Sequence, residues 1–145
     1  MNYPYIMMVE DNSHDIEMIK DALNDTRKMI LTLEFRDGAE AVKYFLDPAD
    51  KIESEPMQLP VFILLDLKLP KVNGLEVLKI LKSDERTKSI PIVIFTSSDE
   101  DNDRLKSYQA GVNSYLVKPL DADLFYDYIK KMVNYWSVMN TNAPC

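Results

Sequence analysis

Continuous apolar runs of strand length alternate along this chain with stretches in which apolar residues recur at helical spacing. Runs that stay apolar through successive positions suit strands covered on both faces, so the alternation predicts a parallel sheet with helices on each side. Five such repeats can be counted. Residues about 3 to 9 form the first predicted strand, and Asp11 to about Asp25 a helix with Ile16, Ile19 and Leu23 on one face. Ile30 to Phe35 is the second strand, followed by Gly38 and a helix bearing Ala41, Val42 and Phe45. A polar loop with Pro48, Pro56 and Pro60 precedes the third strand, which ends at Asp66; Leu75, Leu78 and Leu81 then recur after Gly74.

Pro91 to Phe95 is the fourth strand and runs out in Thr96-Ser97-Ser98. Asp99 to Ala110 reads as a helix stopped by Gly111. The fifth strand ends at Lys118, and the last helix, Asp121 to about Met139, carries Phe125, Ile129, Met132, Val133 and Trp136 on one stripe. Tyr126, Tyr128 and Tyr135 widen that stripe beyond one core face, which offers the helix and its neighbour as a homodimer surface.

Composition narrows the function. The chain has 145 residues, the size of one domain, and no apolar stretch approaches the roughly 20 residues of a membrane span. A soluble protein without membrane partners is expected. The N-terminus shows no basic segment followed by an apolar core, so a cytoplasmic location is expected. The single cysteine, Cys145, leaves no intramolecular disulfide and reads as a free terminal thiol. A net charge of -7, from 24 acids and 17 bases, opposes sustained contact with nucleic-acid phosphates.

Three predicted strands end in chemistry. The first runs into Glu10-Asp11, the third into Asp66 and the fifth into Lys118-Pro119, while the fourth ends at Thr96. In an open parallel sheet the ligand crevice lies beyond the carboxyl ends of the strands, where all of these residues fall. Three carboxylates in one crevice repel each other unless a proton or cation intervenes, and Mg²⁺ is the economical cation because it takes one or two carboxylates plus waters. Asp11 and Asp66 are then direct ligands, Glu10 holds a coordinated water, and the Lys68 backbone carbonyl supplies a further oxygen. Asp66 can also attack a phosphoryl donor, with Lys118 and the Thr96 hydroxyl receiving the phosphoryl oxygens. No Gly-rich loop follows the first strand, which counts against a nucleotide cradle. His14, the only histidine, reads as an exposed residue of the first helix.

With these motifs in place the chain resembles the receiver domain of two-component response regulators over nearly its whole length. The resemblance rests on Val9-Glu10-Asp11-Asn12, on Leu64-Leu65-Asp66-Leu67-Lys68-Leu69-Pro70 with Gly74, on Thr96-Ser97-Ser98, and on Lys118-Pro119. It implies a flavodoxin-like (βα)5 three-layer sandwich with sheet order 2-1-3-4-5 and a cis peptide before Pro119. It also implies roles: Asp66 as phospho-acceptor, Glu10 and Asp11 as the acidic pair, Thr96 as the switch hydroxyl, Lys118 as the phosphate-contacting lysine and Tyr115 as the rotating switch aromatic. The donor would be a sensor histidine kinase. The run from Ser107 to Tyr115, the long loop before the third strand and Trp136 are similar to small stand-alone regulators paired with phytochrome-type kinases. No output domain is expected after the last helix, so the signal would pass through binding, relay or dimer formation.

Two positions depart from many relatives. Lys68 stands two residues after Asp66, and Ser98 two after Thr96; side chains there position or exclude the water that hydrolyses the phosphoryl group, and a long-lived phosphoryl group is the expectation. Lys68 also argues against a phosphohydrolase of the haloacid-dehalogenase type, which needs a second aspartate at that place. A signalling protein that does not turn over substrate is therefore expected, with a receiver-like module that works without phosphorylation as the alternative.

Overall fold

The computed structural model describes residues 4–26, 30–46 and 58–144. They alternate β1 (Tyr5–Val9), α1 (Ser13–Asp25), β2 (Leu31–Phe35), α2 (Gly38–Leu46), β3 (Ile63–Leu65), α3 (Gly74–Ser83), β4 (Ile92–Thr96), α4 (Asp101–Gln109), β5 (Ser114–Val117) and α5 (Ala122–Asn134). The five strands are all parallel in the order β2-β1-β3-β4-β5, as the resemblance implies. The acidic run from Asp47, Pro48, Pro56 and the Cys145 thiol lie outside the described residues.

The period of two along each strand explains the apolar runs. Ile6 and Met8 of β1 pack with Ile16 and Ile19 of α1 and with Phe125, Ile129 and Met132 of α5. Their neighbours Met7 and Val9 point the other way, toward Ala41 and Phe45 of α2 and Val77, Leu78 and Leu81 of α3. β1, β3 and β4 thus serve two cores, and up to Thr96 at the end of β4 their positions are apolar. Helix starts are fixed by side-chain caps: Asn12 accepts the N–H of Asp15, Asn73 that of Glu76, and Asp121 that of Leu124. Gly111 closes α4 with φ of 96°, the left-handed conformation glycine accepts most readily.

Two expectations are corrected. The Lys118–Pro119 peptide is trans, since no cis bond occurs among the described residues; trans is favoured by about 0.5–1 kcal/mol even before proline. The last helix does not run unbroken to Met139: α5 ends at Asn134 and a π-helical turn, Tyr135–Met139, follows. The wider turn leaves Trp136 packed on the α1/α5 core and Tyr135 exposed, with the two rings edge to face at 4.9 Å. Among the described residues no helix is long and apolar enough to cross a membrane.

Candidate functional site

Glu10, Asp66 and Lys118 each occupy the first position past a strand, and each still donates its backbone N–H to the neighbouring strand. Glu10 N bonds Phe35 O at 3.0 Å, Asp66 N bonds Val9 O at 3.0 Å, and Lys118 N bonds Thr96 O at 2.7 Å. Their backbones therefore share the rigidity of the sheet while their side chains leave it at the carboxyl edge. The loop after Asp66 is equally constrained. Gly74 N bonds Leu67 O at 2.8 Å, and a Cβ on Gly74 would collide with the Asp66 carbonyl oxygen. Gly38 lies equally close under the Val72 carbonyl, so the turn beyond Asp66 is seated on the start of α2.

The side chains converge on one ammonium. Lys118 Nζ donates to Glu10 Oε1 at 2.5 Å, to Asp15 Oδ2 at 2.7 Å and to Asp66 Oδ2 at 3.0 Å. Its side chain is only 9% exposed, and Glu10 and Asp66 are buried with it. Glu10 Oε2 accepts the N–H groups of Asp11 and Asn12 at 2.9 and 3.2 Å, and Asp66 Oδ1 accepts the N–H of Lys68 at 3.2 Å. The expected grouping of Glu10, Asp66 and Lys118 is thus present. Asp15 joins it without having been anticipated, because an acid in the first turn of a helix reads as a complement to the helix dipole.

Burial and the nearby Asp66 charge push the Glu10 carboxyl up to about 7, against the pull of Lys118. Burial acts in the same sense on Asp66, but Lys118, Glu10 and the Thr96 hydroxyl outweigh it and hold that carboxyl below its ordinary range. Burial draws the Lys118 ammonium down, yet its bonds to Asp15 and Glu10 carry it above its ordinary value. The cluster therefore favours a charged lysine facing a charged Asp66, with Glu10 the member most ready to hold a proton.

Asp11 is exposed, and among the described residues its carboxylate meets no other side chain, whereas the lysine draws Glu10 and Asp66 to itself. Among the described residues no three carboxylate, histidine or cysteine side chains form a ligand set. Asp66 keeps carboxylate lone pairs beyond those that accept from the Lys68 N–H and Lys118, and Asp11 offers an exposed carboxylate one residue after Glu10. This donor set is all hard oxygen and fits a cation that keeps several waters.

Thr96 ends β4 fully buried, and Ser98 N donates to its Oγ1 at 3.4 Å. Tyr115 lies inward from β5, its hydroxyl donating to Ser98 O at 2.9 Å, and Ser98 Oγ meets Asp103 Oδ2 of α4 at 2.5 Å. Thr96 and Tyr115 are thereby joined through the loop between β4 and α4. Lys68 extends to solvent, and His14 is exposed as expected.

Known proteins are similar to this chain in sequence and in fold. The probable methanogenesis regulatory protein FilR2 of Methanothrix harundinacea is 37% identical over 131 residues, covering 90% of this chain and 82% of that protein. Response regulator Rcp1 of Synechocystis sp. is 33% identical over 131 residues, covering 90% of this chain and 87% of its own length. The solved structure of the phosphorylated cyanobacterial phytochrome response regulator RcpA superposes with a TM-score of 0.88 at 34% identity, covering 99% of this chain and 100% of that one. The Mn²⁺-bound form of Rcp1 gives 0.86 at 31% identity, with 98% and 100% covered. The family model for the response regulator receiver domain matches residues 6–130, and the chain belongs to that family of signalling modules.

Proposed function

We propose that this receiver accepts a phosphoryl group on Asp66 from a sensor histidine kinase, and that its kinase is of the phytochrome type. The observation that carries the reading is the approach of Lys118 Nζ to Asp66 Oδ2 at 3.0 Å in a buried crevice at the sheet's carboxyl edge. In the transfer an Asp66 carboxylate oxygen forms the O–P bond as the P–N bond of a phosphohistidine breaks. The electron pair leaves on the imidazole nitrogen, which takes up a proton. Lys118 turns its donors from the carboxylate to the phosphoryl oxygens, and the Thr96 hydroxyl donates to the same group. Asp11, Asp66 and the Lys68 carbonyl would hold Mg²⁺, with Glu10 reaching it through a water. When bound, the ion offsets the charge that gathers on the phosphoryl oxygens.

The aspartyl phosphate adds about -1.5 to -2 charge beside Thr96. A hydrogen bond from Thr96 to it moves the β4–α4 loop, and Tyr115 follows because its hydroxyl rests on Ser98 of that loop. The protein would act in the cytoplasm through this receiver domain. Kinship to RcpA, a cyanobacterial phytochrome response regulator, supports the phytochrome assignment. Exposed Leu124, Tyr135, Val138 and Met139, on α5 and the turn after it, support a homodimer through this end of the molecule.

Intact mass after incubation with acetyl phosphate and Mg²⁺ tests the reading, beside Asp66→Asn and a chelated sample. One phosphoryl adduct that needs both Asp66 and the metal is expected. Absence of any adduct, while a known receiver is modified alongside, favours the module that signals without phosphorylation.

A further inference from the structure

Asp15 has no part in the chemistry above, yet its carboxylate lies closer to Lys118 Nζ, at 2.7 Å, than that of Asp66 at 3.0 Å. Its position is fixed from two sides: its backbone N–H is bound to the Asn12 side chain at 3.0 Å, and it stands in the first turn of α1, which Ile16 and Ile19 anchor in the core. An ammonium has three donors. In this structure Glu10, Asp15 and Asp66 engage all of them.

Glu10 and Asp66 are also the acids assigned to the cation and the phosphoryl group. A divalent ion drawn to them claims the lone pairs on which the ammonium rests and repels its charge. Only Asp15 is then left to keep Lys118 within reach of Asp66. We propose that Asp15 is a positioning residue that receives the Lys118 ammonium when a divalent cation engages Asp66 directly and Glu10 through a water. The proposal rests on the phosphoryl-accepting reading and assigns the site a carboxylate from α1. Without Asp15 the ammonium stays on Glu10 and Asp66 and competes with the cation directly.

A double-mutant cycle separates this role from a general effect of negative charge. Mg²⁺ alone is titrated calorimetrically into unphosphorylated wild type, Asp15→Asn, Lys118→Met and the double variant at fixed ionic strength. Asp15→Ala, which leaves the Asn12 cap in place, is run in both backgrounds as a second probe, and circular dichroism checks that each variant is folded. With Lys118 present, loss of the Asp15 carboxylate should weaken Mg²⁺ binding about tenfold, and with Met at 118 less than about threefold. Equal factors in the two backgrounds, or no weakening with Lys118 present, overturn the proposal. Those results would coexist with a normal Asp66 adduct on the wild type. Absence of Mg²⁺ binding and of the adduct in the wild type would instead overturn the proposed function together with this role.

Discussion

Tyr115 and Ser98, seventeen residues apart, are joined by a buried hydrogen bond of 2.9 Å from the phenol to the backbone carbonyl. The bond ties β5 to the loop that leaves Thr96, so a movement of that loop would carry the aromatic ring with it. Tyr115→Phe should lower the unfolding free energy by about 1 kcal/mol in urea titrations, the usual contribution of such a bond. Phosphoryl uptake on Asp66 should change little, because Tyr115 touches none of the reacting groups. Loss of uptake without loss of stability would place the ring in the chemistry instead.

Gly74 sits directly against the Asp66 backbone carbonyl. Gly74→Ala must push that backbone away, and overpacking of this kind costs about 1–3 kcal/mol. Since Asp66 itself would shift, phosphoryl uptake should slow in the same variant. Unchanged stability and uptake would show that the loop gives way freely.

The lifetime of the phosphoryl group follows from where Lys68 and Ser98 point. Ser98 Oγ is committed to Asp103, and Lys68 extends to solvent, so neither presents a group that would orient a hydrolytic water. The adduct should persist for minutes or longer at neutral pH with Mg²⁺ and no phosphatase, as followed by timed quenching and mass measurement. Decay within seconds would contradict this.

Stability of the metal-free protein should depend on pH through Glu10. Its folded carboxyl is raised to about 7 by burial and Asp66, from an ordinary value of 4.5. Between those two values the folded state binds more protons than the unfolded state, so stability falls as pH rises from about 4.5 to 7. Asp66 is shifted the other way, and its contribution is lost only as pH falls below its ordinary 3.8; Lys118, raised above 10.5, acts only in the alkaline range. Denaturant melts in the presence of chelator should show the decline in wild type and a flatter profile in Glu10→Gln. The same slope in both would assign the dependence to other groups.

Strand identity was legible because both faces of the sheet are buried, which turns β1, β3 and β4 into unbroken apolar runs. Site residues were legible because each stands one position past such a run, as Glu10, Asp66, Thr96 and Lys118 do. Asp15 was not, since its meeting with Lys118 joins positions 103 residues apart that no local period connects. The crevice shared by Glu10, Asp66 and Lys118 was legible, but that the ammonium itself would hold these two acids together with Asp15 was not, because nearby carboxylates by themselves suggest a cation. The π-helical turn after Asn134 escaped notice because its apolar residues continue the α-helical stripe without a Gly or Pro to mark the change. The trans bond before Pro119 rests on a small energy difference that the dipeptide Lys118-Pro119 cannot reveal.

The acceptor itself can be located chemically. An aspartyl phosphate is an acyl phosphate, and borohydride reduces it to homoserine while leaving free carboxylates untouched. Protein treated with acetyl phosphate and Mg²⁺, reduced, digested and sequenced by tandem mass spectrometry should carry homoserine at position 66 and nowhere else, and none once the metal is chelated. Homoserine at another aspartate, or none at all in the metal-containing sample, would contradict the assignment of Asp66 as the phosphoryl acceptor.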